Sequence, residues 1–467
     1  MQKTLLLVGV AIINTVYAVD LPWEEKVVSQ HLDQSSFVGS LDKASLDYLI
    51  DKGEHLFSGK YTKFDGAGRR MATQAIIPTK RRRPVANEFM RSSGLDSNSC
   101  GSCHNVPTMG GAGDFTANVF VSEGFNQADF DSLNPQFSNE RNSNHLFGSG
   151  LIELLAREMS EDLHKIRRKA LIQARKKKTA TIKQLITKGI SFGQITAQPN
   201  GVIDLSKIEG VDTDLVIRPF SQKGVMTSLR QFSINALNHH HGMQAVERFG
   251  ERWTGENDFD QDGVTNELSA GDVSALVAWQ AALPPPTVNV PEQSNWKAAA
   301  KRGKHLFQQN QCSQCHVPAL PLRSLKFSDP GEWDMAGTLR SGDISQAAVY
   351  DLNLLKWSKD LPRNEQGEVM VPLFGDLKRH RIADSEVSQL GNELLSQRFV
   401  ARNVFITAEL WGVGSTAPYG HRGDLGTLDE VIQAHGGEGR SSRDAYLALD
   451  KNSRLDIIAF LKTLAIE

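Results

Sequence analysis

Residues 100–104 read Cys-Gly-Ser-Cys-His, and residues 312–316 read Cys-Ser-Gln-Cys-His. These two runs contain all four cysteines of the chain. Two thiols at this spacing can form thioether bonds with both vinyl groups of one porphyrin, and the histidine that follows can reach the iron as its proximal ligand. The pattern therefore predicts two covalently attached c-type haems, one held by Cys100, Cys103 and His104 and the other by Cys312, Cys315 and His316.

Two other uses of paired cysteines explain this pattern less well. A structural zinc site needs its two C-x-x-C pairs within about 20 residues of each other, whereas Cys103 and Cys312 lie in different halves of the chain. Disulfide bonds form in an oxidising compartment, but they leave the histidine after each pair unexplained. Haem attachment is therefore the favoured interpretation, and disulfide bonds are the alternative.

The sequence before each motif is also repeated. Residues 52–57 read Lys-Gly-Glu-His-Leu-Phe, and residues 302–307 read Arg-Gly-Lys-His-Leu-Phe. Each run predicts the end of a helix whose glycine allows a second helix to cross it closely. The repeat indicates that one haem-binding unit was duplicated.

The segment after residue 268 predicts the helix that closes the first unit. Ser269 and Asp272 form the capping-box pattern that starts a helix. Leu276, Trp279 and Leu283 follow at helical spacing, and a run of prolines from residue 284 ends the helix.

A second closing helix is predicted near the C-terminus, where Ile457, Leu461 and Leu464 recur at helical spacing. The Pro-rich stretch from residue 284 to about residue 294 separates the two units. We therefore predict a mainly α fold with two cytochrome c-like haem domains, at residues 40–286 and 295–467. Insertions enlarge the first of these domains.

The N-terminus has the features of a secretory signal peptide. A lysine at position 3 precedes an apolar stretch from Thr4 to Val16, and Val16 and Ala18 are small residues of the kind that signal peptidase recognises. We predict a signal peptide at residues 1–18 and a periplasmic mature protein. A retained membrane anchor is the alternative, although the stretch is short for one. No later segment approaches membrane-spanning length, so no integral membrane segment is expected after cleavage.

Composition excludes little by itself. The chain has 467 residues, is 40% hydrophobic and carries a formal net charge of −2. It therefore has room for two or three cores and no charge bias that would indicate nucleic acid binding. A basic run from His164 to Lys178 is typical of a solvated helix face. Alternatively it would dock an acidic redox partner, because opposite charges speed encounter.

Longer motifs resemble one group of bacterial enzymes. The runs Thr416 to Gly423 and Thr427 to Val431 look like the T-A-P-Y-x-H-x-G and T-L-x-E motifs of di-haem cytochrome c peroxidases. The resemblance is closer to the di-haem oxidoreductase branch of that superfamily, also labelled predicted thiol oxidoreductases. Further matches to this branch lie at Asp96 to Ser99, Gly110 to Gly113, Leu146 to Glu153, Leu373 to His380 and His435 to Glu438. The resemblance extends from about residue 50 to the C-terminus.

The resemblance implies a distal ligand for the second haem at His435. The peroxidases usually have Met at this position. Imidazole stabilises ferric iron more than a thioether does, so a haem held by His316 and His435 should have the lower potential. The alternative is that His435 only turns the chain beside Gly436 and Gly437.

The resemblance also implies a calcium ion between the haems, held by the Asn142 side chain and the carbonyls of Thr416 and Pro418. Oxygen ligands suit this cation. A separate acidic run, Asp258 to Gly263, has the D-x-D-x-D-G start of a calcium loop, but its twelfth position is Ser269 where an EF-hand has Glu. It is either a calcium loop or a solvated acidic turn.

The sixth position of the first haem iron is predicted to be open. The peroxidases have a His shortly after their first motif, but residues 113–127 contain none. His240 and His241 lie near the position of the peroxidases' acid/base Glu, and histidine can move protons near neutral pH. We therefore predict that they are catalytic. Alternatively they form helix-end hydrogen bonds or ligate the iron, and His145 and Met109 are lesser candidate ligands.

Two classes of function follow. The first is an enzyme whose open haem reacts with peroxide or dioxygen while the second haem relays electrons. The second is a non-catalytic electron-transfer cytochrome. Size favours the enzyme, because the chain has about 200 residues more than two small haem shells need. A dithiol mechanism lacks a further cysteine. The expected partners are a small redox protein or another electron donor or acceptor, and a small-molecule oxidant.

Overall fold

A computed structural model describes residues 23–68, 71–72, 81–82, 97–114, 116–118, 140–334, 337–393 and 399–466. The predicted signal peptide at residues 1–18 lies outside these ranges and stays a prediction. Residues 96, 115 and 119–127, which belong to stretches quoted above, also lie outside these ranges. Within the described ranges, no helix is both long and apolar enough to cross a membrane.

Helices outweigh strands. The structure is 39% helical and 15% strand, so the expectation of a helix-rich fold is confirmed, with more sheet than the sequence indicated. In chain order, the α-helices of the described residues are α1 (Lys43–Ser58), α2 (Cys100–Cys103), α3 (Ser149–Lys177), α4 (Leu229–Ala236), α5 (Val246–Phe249), α6 (Glu251–Thr254), α7 (Ala270–Ala282), α8 (Ser294–Gln309), α9 (Leu428–Gln433), α10 (Arg440–Ala448) and α11 (Lys451–Leu461).

The strands are short and form small sheets. They are β1 (Gly39–Ser40), β2 (Met71–Ala72), β3 (Arg81–Arg82), β4 (Thr116–Asn118), β5 (Glu140–Asn142), β6 (Thr181–Thr187), β7 (Ile190–Ala197), β8 (Ile203–Asp204), β9 (Thr287–Val288), β10 (Leu320–Leu322), β11 (Lys326–Asp329), β12 (Ala348–Asp351), β13 (Val369–Val371), β14 (Arg379–Arg381), β15 (Val404–Ile406) and β16 (Leu464–Ala465). The sheet orders are β1-β12-β11 and β6-β7-β8, with the pairs β10-β13, β14-β15, β16-β9, β2-β3 and β4-β5.

Both predicted helix crossings are present. A Cβ built on Gly53 of α1 would lie 2.0 Å from the carbonyl oxygen of Ala275 in α7, and one on Gly303 of α8 would lie 1.8 Å from that of Asp456 in α11. Both separations are far shorter than a van der Waals contact, so only glycine permits these crossings. The repeated runs therefore occupy equivalent positions in the fold.

The ends of the closing helices agree only partly with the sequence. Ser269 and Asp272 form the predicted capping box, and α7 ends before the prolines, with Leu283 as its C-cap. Helix α11 ends at Leu461, and Leu464, which we predicted on the helix, lies in β16. That strand pairs with β9, which follows the prolines, so pairing between strands replaces the last helical turn.

The larger hydrophobic cluster joins the two halves of the chain. It contains Leu49 of α1 and Trp279 of α7 together with Phe327 and Tyr350 from beyond the Pro-rich stretch. Strand β1 also pairs in parallel with β12, with Gly39 opposite Ala348. A smaller cluster surrounds α8, α9 and α11. The predicted domain limits stay a prediction, although this packing ties residues 320–373 to the first half.

The basic run forms the C-terminal half of α3, a helix of 29 residues. At 1.5 Å per residue such a helix is about 43 Å long. Its buried residues Ala170 and Ala174 face the β6-β7 hairpin, while Arg168, Lys169 and Arg175 are exposed. The helix predicted from this run is therefore present, and its outer face is solvated.

Candidate functional site

The two attachment motifs have the same surroundings. In the first, Ser99 caps α2, and the ring of His104 lies 6.1 Å from that of Phe57 at an interplanar angle of 51°. In the second, the ring of His316 lies 6.3 Å from that of Phe307 at 49°. Each phenylalanine ends one of the repeated runs. The two motifs are therefore equivalent in space as well as in sequence.

His316 and His435 face each other across the second site. Their ring centres are 6.5 Å apart. An imidazole nitrogen lies about 2 Å from a metal that it ligates and about 1 Å from its own ring centre, so two imidazoles on opposite sides of one iron have ring centres about 6 Å apart. The observed separation fits the predicted pair of axial ligands.

The hydrogen bonds of these two rings also fit metal ligation. His316 donates from Nδ1 to the carbonyl of Phe374 at 3.3 Å, and His435 donates from Nδ1 to the carbonyl of Val431 at 2.7 Å. Each ring then keeps Nε2 for a metal, which is the arrangement that metal-ligating histidines usually have.

Burial keeps both rings neutral, as iron ligation requires. Burial, and then the neighbouring His435, lower the pKa of His316 to about 4. Burial likewise lowers the pKa of His435. The chain positions His435 by ending α9 two residues earlier and turning at Gly437, where φ is +54° and a Cβ would lie 2.2 Å from the carbonyl oxygen of Arg381.

His104 is the predicted proximal histidine of the first site, and two further histidines lie near it. Burial lowers the pKa of His145 to about 4. A hydrogen bond to the Trp411 carbonyl acts to raise this pKa, and the charge of His104 acts to lower it. His145 Nε2 donates to that carbonyl at 2.8 Å, and within the described part of the chain its buried Nδ1 has no hydrogen-bond partner.

His240 is the second histidine near His104. Burial, and then His241, His239 and His104, lower the pKa of His240 well below its usual value. His240 lies in the π-helical turn Leu237–His241 that continues α4. Such turns are frequent at functional sites. Because of its lowered pKa, His240 is neutral.

His241 has a different environment. Its Nδ1 donates to the carbonyl of Ser97 at 3.0 Å, its Nε2 lies 3.8 Å from Cys100 Sγ, and its ring lies 5.6 Å from that of Tyr61. The side chain therefore holds the segment that carries the first attachment motif. His240 and His241 both stay predictions for proton transfer.

Residues 363–464 match a protein family described as "Di-haem oxidoreductase, putative peroxidase". The match confirms the predicted resemblance to the di-haem oxidoreductases. The matched residues include His435 and both peroxidase-like motifs.

Other comparisons with known proteins are weaker. No curated protein matches the chain at a significant level. Among solved structures, Kuenenia stuttgartiensis hydrazine synthase is 12% identical, with 99% of this chain and 100% of that chain covered and a TM-score of 0.35. A MauG-like protein associated with microbial copper homeostasis is 15% identical, with 58% and 79% covered and a TM-score of 0.29. At these TM-scores neither likeness carries an argument.

The calcium ligands predicted from the di-haem oxidoreductase resemblance are partly brought together. Asn142 Nδ2 donates to the carbonyl of Pro418 at 2.7 Å, and within the described residues the buried Asn142 Oδ1 has no hydrogen-bond partner. Rotating the amide by half a turn would place two oxygens at this position, as a cation requires. Thr416 lies two residues away, and its hydroxyl donates to the carbonyl of Gly412.

The cationic side chains around this position are paired with carboxylates, Arg141 and Lys223 with Glu393 and Arg422 with Glu140. Burial, and then Arg141, Lys223 and Arg422, lower the pKa of His421 to about 3. The backbone of His421 accepts a hydrogen bond from Asn142 at 2.9 Å. The oxygen set therefore fits calcium, and the paired charges beside it do not decide the affinity.

The acidic run is also compact. Ligand oxygens of Asp258, Asp260 and Asp262 lie within 4.8 Å of one another. Burial, and then Asp260, raise the pKa of Glu267 well above its usual value, and Glu267 accepts a hydrogen bond from the backbone of Gln244 at 2.6 Å. Both sequence interpretations of this run, a calcium loop and a solvated turn, stay open.

Met109 packs against the attachment helix. Its sulfur would lie 2.8 Å from a Cβ built on Gly101, and its side chain is partly exposed. These contacts do not place it opposite His104.

The sequence assigned no role to Asp376 and His380, which lie beside Cys315 of the second motif. Ligand atoms of Cys315, Asp376 and His380 lie within 4.8 Å of one another. A metal site there would compete with thioether formation at Cys315. His380 and Glu438 each lie in a motif that resembles the di-haem oxidoreductases. This resemblance was the sequence signal that could have identified the group. Glu409, close to Asp376, lies in no such motif.

Proposed function

We propose that this chain is an exported, periplasmic di-haem c-type oxidoreductase of the peroxidase type. In this proposal the first haem has an open iron that reacts with peroxide or dioxygen, and the second, with two histidine ligands, relays electrons. The observation that carries the proposal is the contrast between the two sites. His316 faces His435 at the spacing of axial ligands, whereas His104 is accompanied by the neutral His240.

Haem with an open coordination position binds and reduces oxidants, while haem with two axial ligands exchanges electrons. Cys100, Cys103 and His104 would hold the first group, and Cys312, Cys315, His316 and His435 the second. His316 and His435 are each fixed by a backbone carbonyl at Nδ1. This fixed geometry suits electron exchange, because little reorganisation accompanies a change of iron charge.

His240 would supply proton transfer at the first haem. Hydrogen peroxide loses a proton from one oxygen and gains one on the other when its O–O bond breaks. A neutral imidazole can accept the first proton and donate it to the leaving oxygen. His241, bonded to Ser97 and close to Cys100, would position the turn that carries His240.

The second candidate function is a non-catalytic electron-transfer cytochrome. One observation favours it: His145 and His240 both lie close enough to His104 for its charge to lower their pKa values. If either ligates the first iron, no position remains for an oxidant.

The proposal has further parts that the two-haem arrangement implies. The chain would comprise two cytochrome c-like haem domains, at about residues 40–286 and 295–467. A small redox protein or another electron donor would supply electrons. Calcium would link the domains through Asn142, Thr416 and Pro418, which is supported by the short approach of Asn142 to Pro418.

The test is single-turnover reaction of the reduced protein. The protein with both haems attached is reduced without oxygen by a small one-electron donor, mixed with hydrogen peroxide or dioxygen, and followed by its absorption. We expect rapid reoxidation by at least one oxidant, slowed by about 10²-fold or more in His240→Ala. His305→Ala, which alters an exposed histidine on α8, is the control. Slow reoxidation that is equal in all three proteins would favour the electron-transfer cytochrome.

A further inference from the structure

A buried carboxyl group lies beside the second haem site. The backbone N–H of Leu410 donates at 3.4 Å to the Phe374 carbonyl, the same carbonyl that accepts from His316 Nδ1. Glu409 precedes Leu410, and its Cγ would lie 3.5 Å from a Cβ built on Gly375. The side chain is thus placed on the His316 side of the site.

The hydrogen bond that favours the charged form of this carboxyl group comes from the backbone of Glu409 itself. Within the described residues, the buried Oε1 of Glu409 has no hydrogen-bond partner. The adjoining loop carries Asp376, which is itself a carboxylate, and Lys378, which pairs with Glu209, and the nearby His316 is neutral. Burial, and then the charge of Asp376, raise the pKa of Glu409 to about 7. A carboxyl in this setting gains a proton readily when negative charge is added nearby.

A chain of side chains leads from this region to the solvent. Asp376 Oδ2 lies 2.8 Å from His380 Nε2, and His380 Nδ1 lies 2.7 Å from Glu438 Oε2. The Asp376 side chain is 3% exposed and that of His380 is 12% exposed, whereas that of Glu438 is 54% exposed. The chain therefore begins at a buried carboxylate and ends at one in contact with water.

His380 has the protonation state that such a chain requires. Burial acts to lower the pKa of His380, but hydrogen bonds to Asp376 and Cys315 and their charges raise it. The Cys315 contribution is lost once that sulfur forms a thioether, and the Asp376 contribution persists. A protonated His380 can pass a proton to Asp376 and receive another from Glu438.

We propose that Glu409 is the proton-binding site of the second haem, and that Asp376, His380 and Glu438 connect it with solvent. This proposal rests on the proposed function only in requiring a redox-active second haem. On reduction, the ferric haem accepts one electron from the electron donor and the Glu409 carboxylate accepts one proton from solvent. On oxidation both leave. The net charge of the site is unchanged, which avoids burying an additional charge in a medium of low dielectric constant.

Proton uptake at this site would suit the proposed chemistry. Reduction of hydrogen peroxide to two waters consumes two electrons and two protons. A second haem that takes up one proton with each electron would keep the net charge of the protein constant until the electron is transferred to the oxidant. A haem that only relays electrons between fixed ligands does not need this property.

The experiment is a spectroelectrochemical titration of the low-spin haem in the protein with both haems attached, at several pH values between about 5.5 and 9. Above the pKa of Glu409, a one-proton coupling changes the reduction equilibrium constant tenfold for each pH unit, which is about 59 mV for one electron. We expect this slope where Glu409 is ionised in the ferric protein and a flat profile at lower pH. In Glu409→Gln the profile should be flat throughout. Glu292→Gln, which alters an exposed residue, should retain the wild-type slope.

Two results would overturn the proposal. One is a pH-independent potential in the wild-type protein, and the other is an unchanged slope in Glu409→Gln, which would assign the proton to a haem propionate or another group. Haem content and thermal unfolding of the variant check that it folds. Glu409→Asp is the second variant and should retain a slope with a shifted onset. The wild-type slope and its loss in Glu409→Gln are both independent of whether the first haem reacts with peroxide.

Discussion

Replacing Gly303 with alanine tests the crossing that positions the second haem motif. The added Cβ would lie 1.8 Å from the carbonyl oxygen of Asp456. Contact distances between heavy atoms begin near 3.4 Å, so α8 and α11 would have to separate by about 1.6 Å. Neither atom belongs to a flexible side chain, which places the cost at the upper end of overpacking, about 3 kcal/mol.

The intrinsic helix preference acts in the opposite direction. Alanine is favoured over glycine inside a helix by about 1 kcal/mol. The net expectation is a loss of about 2 kcal/mol in the free energy of unfolding, or about 4–8 °C in Tm for a domain of this size. The sign alone is therefore informative, because an uncrowded helix position would gain stability from the same change.

The assay is thermal unfolding of the protein with haem attached, followed by circular dichroism. Gly342→Ala is a matched control, because a Cβ at Gly342 would meet nothing within 4 Å. It should lie within about 0.5 kcal/mol of wild type. Gly53→Ala should be destabilised like Gly303→Ala, since its Cβ would lie 2.0 Å from the Ala275 carbonyl. A stability of Gly303→Ala equal to or above that of wild type would refute the reasoning.

Three further substitutions test the site. His435→Ala should convert the ferric second haem to high spin, seen in absorption and electron paramagnetic resonance spectra, and an unchanged low-spin signal would exclude His435 as a ligand. Asn142→Ala should raise the calcium concentration needed to restore interhaem electron transfer after chelation, and a calcium dependence identical to wild type would show that Asn142 is not a ligand. His241→Ala should lower the yield of first-haem attachment and leave the rate of peroxide reoxidation per attached haem within a few fold of wild type. A large loss of rate per attached haem would show that His241 takes part in proton transfer.

The sequence predicts features that depend on neighbouring residues or on a repeated motif. The attachment motifs, the capping box at Ser269 and Asp272, and the close crossings at Gly53 and Gly303 are of this kind, because spacing along one helix determines each. The position of His435 opposite His316 could be predicted only through the family resemblance, since the two residues lie on different elements.

The features that the sequence did not predict depend on contacts between distant segments. Pairing of β1 with β12 joins residue 39 to residue 348, and no local pattern indicates it. His380 acquires its role from Asp376 and from Glu438, which is 58 positions away. His145 could be named as a histidine near the first motif, but its hydrogen bond to the Trp411 carbonyl spans 266 positions. Such convergence is set by tertiary packing, which a single sequence does not display.

The most direct test of the two-site account is the spectrum of the purified ferric protein with and without cyanide. The account predicts one low-spin haem, held by His316 and His435, that cyanide does not change. It also predicts one high-spin haem, held by His104 alone, that becomes low-spin when cyanide binds. Two wholly low-spin haems that cyanide leaves unchanged would contradict it.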